Sequence, residues 1–138
     1  MNTTIIAVVS VNSVRIKARD ARRIADIKQI QNALELYNNE HGGMYPGAAA
    51  DLKLGTDAAA KQISSVGIRD SGALAAGEMA YLNVVPHDPT VGKEYVYVKD
   101  NLVADPNRMT YTVTFTTEGK SSLGDTGNYK ATPTGITQ

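Results

Sequence analysis

Residues 5–41 read I-I-A-V-V-S-V-N-S-V-R-I-K-A-R-D-A-R-R-I-A-D-I-K-Q-I-Q-N-A-L-E-L-Y-N-N-E-H, with neither a glycine nor a proline among them. The first glycine of the chain is Gly42, the first proline is Pro46, and all 12 Gly and 5 Pro fall between 42 and 138. These two residues are the main helix breakers. Their absence, then their crowding, divides the chain into a helical front and a body of loops and strands. Within the front, Ala21, Ile24, Ile27 (with Ala25), Ile30, Leu34 and Tyr37 recur at steps of three and four, which makes one apolar stripe on a helix. Arg22 and Asp26 stand four apart and can pair on its exposed face. Gly42-Gly43 supplies the stop, with Pro46 shortly after. A helix from 5 to 41 is roughly 55 Å long at 1.5 Å per residue.

The body begins with a connecting region over 42–93, rich in Ala, Gly, Ser and Asp between 47 and 80. Short helices are expected at Thr56–Ile63, capped by Thr56 or Asp57, and at 73–82. The sheet signals follow. Residues 94–99 read E-Y-V-Y-V-K, tyrosines on one face and valines on the other, and 109–116 read M-T-Y-T-V-T-F-T, strict alternation. Residues 128–132 make a weaker third strand. The face bearing Met109, Tyr111, Val113 and Phe115 must be covered, since a small sheet with one bare apolar face is not stable in water. The only matching apolar stripe lies on 21–37. The expected class is therefore α+β: a long N-terminal helix (1–41) packed on a small antiparallel sheet of three to four strands, the sheet and C-terminal loops occupying 94–138.

The body is too short to accompany the whole helix. Residues 5–18 are expected to protrude and 19–41 to pack. That leaves Ile5, Ile6, Val8, Val9, Val11 and Val14 in need of a partner, because burying one such side chain is worth ~1.5–3 kcal/mol. Lipid, detergent and further copies of the chain all qualify. The 14 basic and 14 acidic residues cancel, but 15–28 hold six basic groups (Arg15, Lys17, Arg19, Arg22, Arg23, Lys28) against Asp20 and Asp26. The chain is a basic neck on a mildly acidic body. Zero net charge gives no global pull toward nucleic acid. The longest apolar stretch, Ile5 to Val11, is short of the ~20 residues of a membrane span. There is no cysteine, which excludes disulfide and thiolate chemistry.

Four blocks then carry a family resemblance: K-A-R-D-A-R-R-I-A-D-I-K-Q-I-Q-N-A-L-E-L-Y-N-N-E-H-G-G-M-Y-P (17–46), Y-L-N-V-V-P-H-D-P-T-V-G-K-E-Y-V-Y-V (81–98), M-T-Y-T-V-T-F (109–115) and G-N-Y-K-A-T-P-T-G-I (127–136). In this order they resemble the type IV pilin-like superfamily, above all type II secretion pseudopilins and short bacterial pilins. Tyr45, Pro46, Pro86, Asp88, Pro89, Gly92, Tyr95 and Tyr97 hold the positions of the two more specific motifs. The resemblance implies a non-enzymatic subunit of a helical homo-oligomeric filament, bundled through its N-terminal helices. It further implies other pilins and an inner-membrane platform as partners, and passage from inner membrane and periplasm to the cell surface. The basic leader, cleavage site and glutamate of the family's start have no counterpart here, nor does most of the apolar anchor. The chain is accordingly expected to behave as a soluble, shortened form.

Within that reading Ile5, Ile6, Val8, Val9, Val11 and Val14, with Arg15, Arg19, Arg22 and Arg23, are the candidate assembly residues, the arginines pairing with acids of neighbouring subunits. Pro46, Pro86 and Pro89 fix backbone at junctions, Gly92 relieves a turn, and Asp88 caps it. No catalytic constellation is expected: His41 and His87 have no metal-ligand spacing, and Gly119-Lys120-Ser121 lacks the rest of a phosphate loop. No cofactor is expected. Calcium is the one ion left open, because some pseudopilins hold it in a C-terminal loop; Asp125, Asp100 and Asp105 supply few of the six to eight oxygens it takes. A soluble protein-binding module and a nucleic-acid binder using the basic helix are the alternatives.

Overall fold

The computed structural model describes residues 3–48, 51–101 and 109–138, with side chains from 10 onward except those of 100, 101 and 109. A single helix, α1, runs Thr3–Glu40 over 38 residues, about 57 Å. It ends as its glycines dictate. Gly42 takes φ 62°, and the Gly43 N–H donates to the Asn38 carbonyl at 2.9 Å. This pairing closes the orphan carbonyls of the last turn.

Among the described residues eight strands follow: β1 Leu52–Leu54, β2 Gln62–Ser64, β3 Gly67–Arg69, β4 Ala80–Leu82, β5 Tyr95–Asn101, β6 Met109–Thr116, β7 Asn128–Thr132 and β8 Gly135–Thr137. The main sheet has five strands in the order β1-β5-β6-β7-β8, and a second has three in the order β3-β2-β4; all pairs are antiparallel. The α+β class is as the sequence implies. The sheet exceeds the expected three to four strands because β1 and β8 extend it at both ends.

The connecting region departs from expectation. It forms strands instead of two helices: the helical part of Thr56–Ile63 is one turn at Ala58–Ala60, and 73–82 holds β4. Gly55 explains the tight path after β1. It has φ 71°, and a Cβ there would stand 2.5 Å from the Pro86 carbonyl oxygen, so only glycine lets the two segments approach.

The core is where the alternation of β5 and β6 places it. Tyr95, Tyr97, Tyr111 and Val113 are fully buried, with Phe115, Tyr129 and Ala131 beside them, and Ile27, Ile30, Ala33 and Leu34 of α1 close over this face. The valines Val96 and Val98 take the other face, half-buried. The Met109 side chain lies outside the described residues. Tyr111 is flanked by Tyr45, edge-on at 4.7 Å, and Tyr97, stacked at 6.0 Å. These rings do the work that the missing Trp and single Phe leave undone.

Candidate assembly interface

The packed part of α1 begins at Ile16. A Cβ on Gly119 would stand 2.7 Å from Ile16 Cγ2, so glycine lets the turn after β6 close on the helix. Residues 10–15 are all exposed, Val11 at 52% and Val14 at 61%. The boundary between protruding and packed helix thus falls nearer the N-terminus than the 18/19 division expected. Ile5, Ile6, Val8 and Val9 lie on helical backbone, and their side chains are outside the described residues.

The structure re-sorts the helix faces. Ala21 and Ala25, read with the inward stripe, point to solvent. They continue Val11, Val14 and Ala18 at alternating three- and four-residue steps, the spacing of a seam that another helix can follow. At 3.6 residues per turn this row lies on the side of α1 opposite Arg23, Ile27 and Leu34. The sequence reading missed Ala18 and misplaced Ala21 and Ala25 because alanine is neutral between core and surface.

What takes their place inside is charged. Asp20, Arg23 and Asp26 are buried at 1%, 0% and 8% exposure. Arg23 donates through Nη1 to Asp20 (2.7 Å), through Nε and Nη2 to both oxygens of Asp88 (2.8 Å each), and through Nη2 to Thr90 Oγ1 (2.8 Å) and Glu118 Oε1 (2.6 Å). Asp20 in turn accepts the Glu118 and Gly119 backbone N–H groups at 3.0 and 2.8 Å. Arg19 forks onto Glu118 from the rim. Asp88 caps its own turn as expected, accepting the Thr90 N–H at 2.8 Å, and Gly92 takes φ 79°.

The basic neck therefore does not face outward as a whole. Arg23, expected among the assembly residues, is instead fully buried, with its donors directed to groups of its own chain. Arg19 is two-thirds covered and paired with Glu118. Arg15 and Arg22 remain exposed, Arg22 reaching Asp26 only at 3.7 Å.

The electrostatics follow the geometry. Hydrogen bonds from Arg19, then from Arg23 and Thr90, hold the Glu118 carboxyl down to about 2 against the resistance of burial. Burial acts to lower the Arg23 pKa, but the bonds to Asp88, Glu118 and Asp20 outweigh it and hold the guanidinium firmly protonated. Asp26 is pushed up by burial, although the Tyr95 hydroxyl donates to it at 3.0 Å.

The motif residues are structural fasteners. Tyr97 donates to the Pro46 carbonyl at 2.8 Å and Tyr45 to Glu35 at 2.8 Å, tying the chain after α1 to both helix and sheet. Pro86 and Pro89 flank the turn that holds Asp88. His41 stacks on Tyr37 at 3.8 Å, and His87 lies exposed in its loop. Asp125 is exposed beside Lys120. Asp105 and the Asp100 side chain are outside the described residues. Among the described residues no group of three or more His, Asp or Glu is placed to hold a metal ion, and no helix is long and apolar enough to cross a membrane. No protein-family model, curated protein or solved structure matches this chain.

Proposed function

We propose that this chain is a structural subunit of a type IV pilus-like or type II secretion pseudopilus filament, assembling with copies of itself through α1. One observation carries the reading: Val11, Val14, Ala18, Ala21 and Ala25 form an exposed row along a helix whose residues 10–15 are all exposed. Apolar residues presented in line on a rod are best satisfied by another rod. Arg15 and Arg22 lie along one side of the row and are the arginines left to meet acids of adjacent copies, with the exposed Lys17 and Lys28 nearby, an attraction that salt screens. In this reading other pilins and an inner-membrane platform are the partners, and the route runs from inner membrane to cell surface.

The test uses the absence of native cysteine. Val14→Cys in the full chain is expected to cross-link copies under mild oxidation. Val11→Asn/Val14→Asn is expected to abolish concentration-dependent sedimentation while leaving the unfolding midpoint unchanged. A wild-type chain that stays monomeric up to millimolar concentration, together with a Val14→Cys chain that forms no cross-links, refutes the reading.

A further inference from the structure

Along α1 the inward face changes character at about Ile27. C-terminal to it the contact with the body is aliphatic, through Ile27, Ile30, Ala33 and Leu34; N-terminal to it the buried residues are chiefly Asp20, Arg23 and Asp26, with Ile24 at the join. Aliphatic burial is non-directional. It holds a helix against a sheet without strongly choosing its rotation about its own axis. A forked guanidinium is the opposite, because its planar donors accept partners only in set directions.

The helix also has a competing face. Val11, Val14, Ala18, Ala21 and Ala25 are small and apolar, and turning them toward the body would meet no charge of their own. Two remote segments prevent it. Arg23 reads Asp88 and Thr90 on the turn before β5 and Glu118 on the turn after β6, while Asp20 takes the two backbone N–H groups of that second turn. Advancing the helix by one residue turns it by about 100° and breaks all of these bonds together.

We infer that the Arg23 cluster is an indexing device: it sets the rotation of α1 at the point where the helix leaves the body, and so determines which face the protruding turns present. Arg23 is a positioning residue that touches no partner. The device stands on intramolecular geometry; only the use of the presented face rests on the filament reading. Buried ionic groups are best attested in this role, setting register in place of adding stability.

The test separates orientation from stability and from assembly. Single cysteines at Ala25 (outward) and Ala33 (2% exposed) are labelled with a thiol reagent in dilute, monomeric chain. With the cluster intact, Ala25→Cys is expected to react at least 100-fold faster than Ala33→Cys. In the neutralised background Asp20→Asn/Arg23→Met/Asp88→Asn/Glu118→Gln, the chain is expected to fold, as shown by circular dichroism, and the contrast to fall below 10-fold. If that background does not fold, Arg23→Lys decides. It keeps the charge and loses the fork, and is expected to reduce the contrast at least threefold. A folded neutral background, or failing that a folded Arg23→Lys chain, that retains the full contrast overturns the indexing role. Because labelling is read on monomers, that result is independent of whether the chain polymerises.

Discussion

The two ends of the contact between α1 and the body are built on opposite physics. From Ile27 to Leu34 the helix is held by aliphatic side chains on tyrosine rings, a contact that gains from every area of surface hidden and asks little of direction. From Ile16 to Asp26 it is held mainly by ions in directed bonds, with three carboxylates and two guanidiniums sharing one junction. Buried ions of this kind add little net stability, because desolvation offsets their attraction. The aliphatic end supplies adhesion and the ionic end supplies geometry. That division suits the filament subunit proposed above, whose helix presents its far turns to another copy.

Four changes probe this contrast, in decreasing order of effect. Arg23→Ala leaves Asp20 and Asp88 buried without their cation and is expected to cost ~3–5 kcal/mol in urea unfolding. A loss under ~1 kcal/mol would mean the cluster is already wet. Leu34→Ala at the other end is expected to cost about 3 kcal/mol through the cavity left against the sheet, with no dependence on pH between 3 and 8. Replacing Glu118 by Gln is expected to cost about 2 kcal/mol at neutral pH, as for a charge-assisted bond.

Its signature is in the pH profile. The folded-state pKa of Glu118 is depressed to about 2 from 4.5. Its contribution is therefore complete above about 4.5 and is lost as pH falls toward 2. Glu118→Gln should flatten that slope when unfolding midpoints are measured across pH. Asp26 has the opposite sign: its pKa is raised, so charging it costs stability as pH rises. Asp26→Asn keeps an acceptor for Tyr95 and is expected to be neutral or stabilising by under ~1 kcal/mol at pH 7. A larger loss would show that the carboxylate charge is needed where it stands.

Much of this architecture is legible in the sequence alone. Forty-one residues without Gly or Pro announce α1, and the alternation in β5 and β6 tells which tyrosines go inside. The strands of the connecting region were not legible, because β1 to β4 have three residues each, too few to show a period of two. The cap residues Thr56 and Asp57 ahead of the alanines 58–60 point to helix instead.

The ionic end was hidden for a different reason. Arg23 looks like any surface arginine, and the partners that make its burial tolerable lie 65 and 95 residues away, at Asp88 and Glu118. Asp88 was singled out for its turn, and only half of its role was visible from there. The outward row was hidden by alanine's indifference to water.

Both sheets also end in stubs. The outer strands are β1 and β8 in the five-stranded sheet and β3 and β4 in the three-stranded one, each three residues long. A long bare margin is a template on which another chain can zip. Each of these outer strands offers only a few unpaired backbone groups as such a template. In the filament proposed above, contact between copies falls to α1, which at 38 residues is the longest element among the described residues.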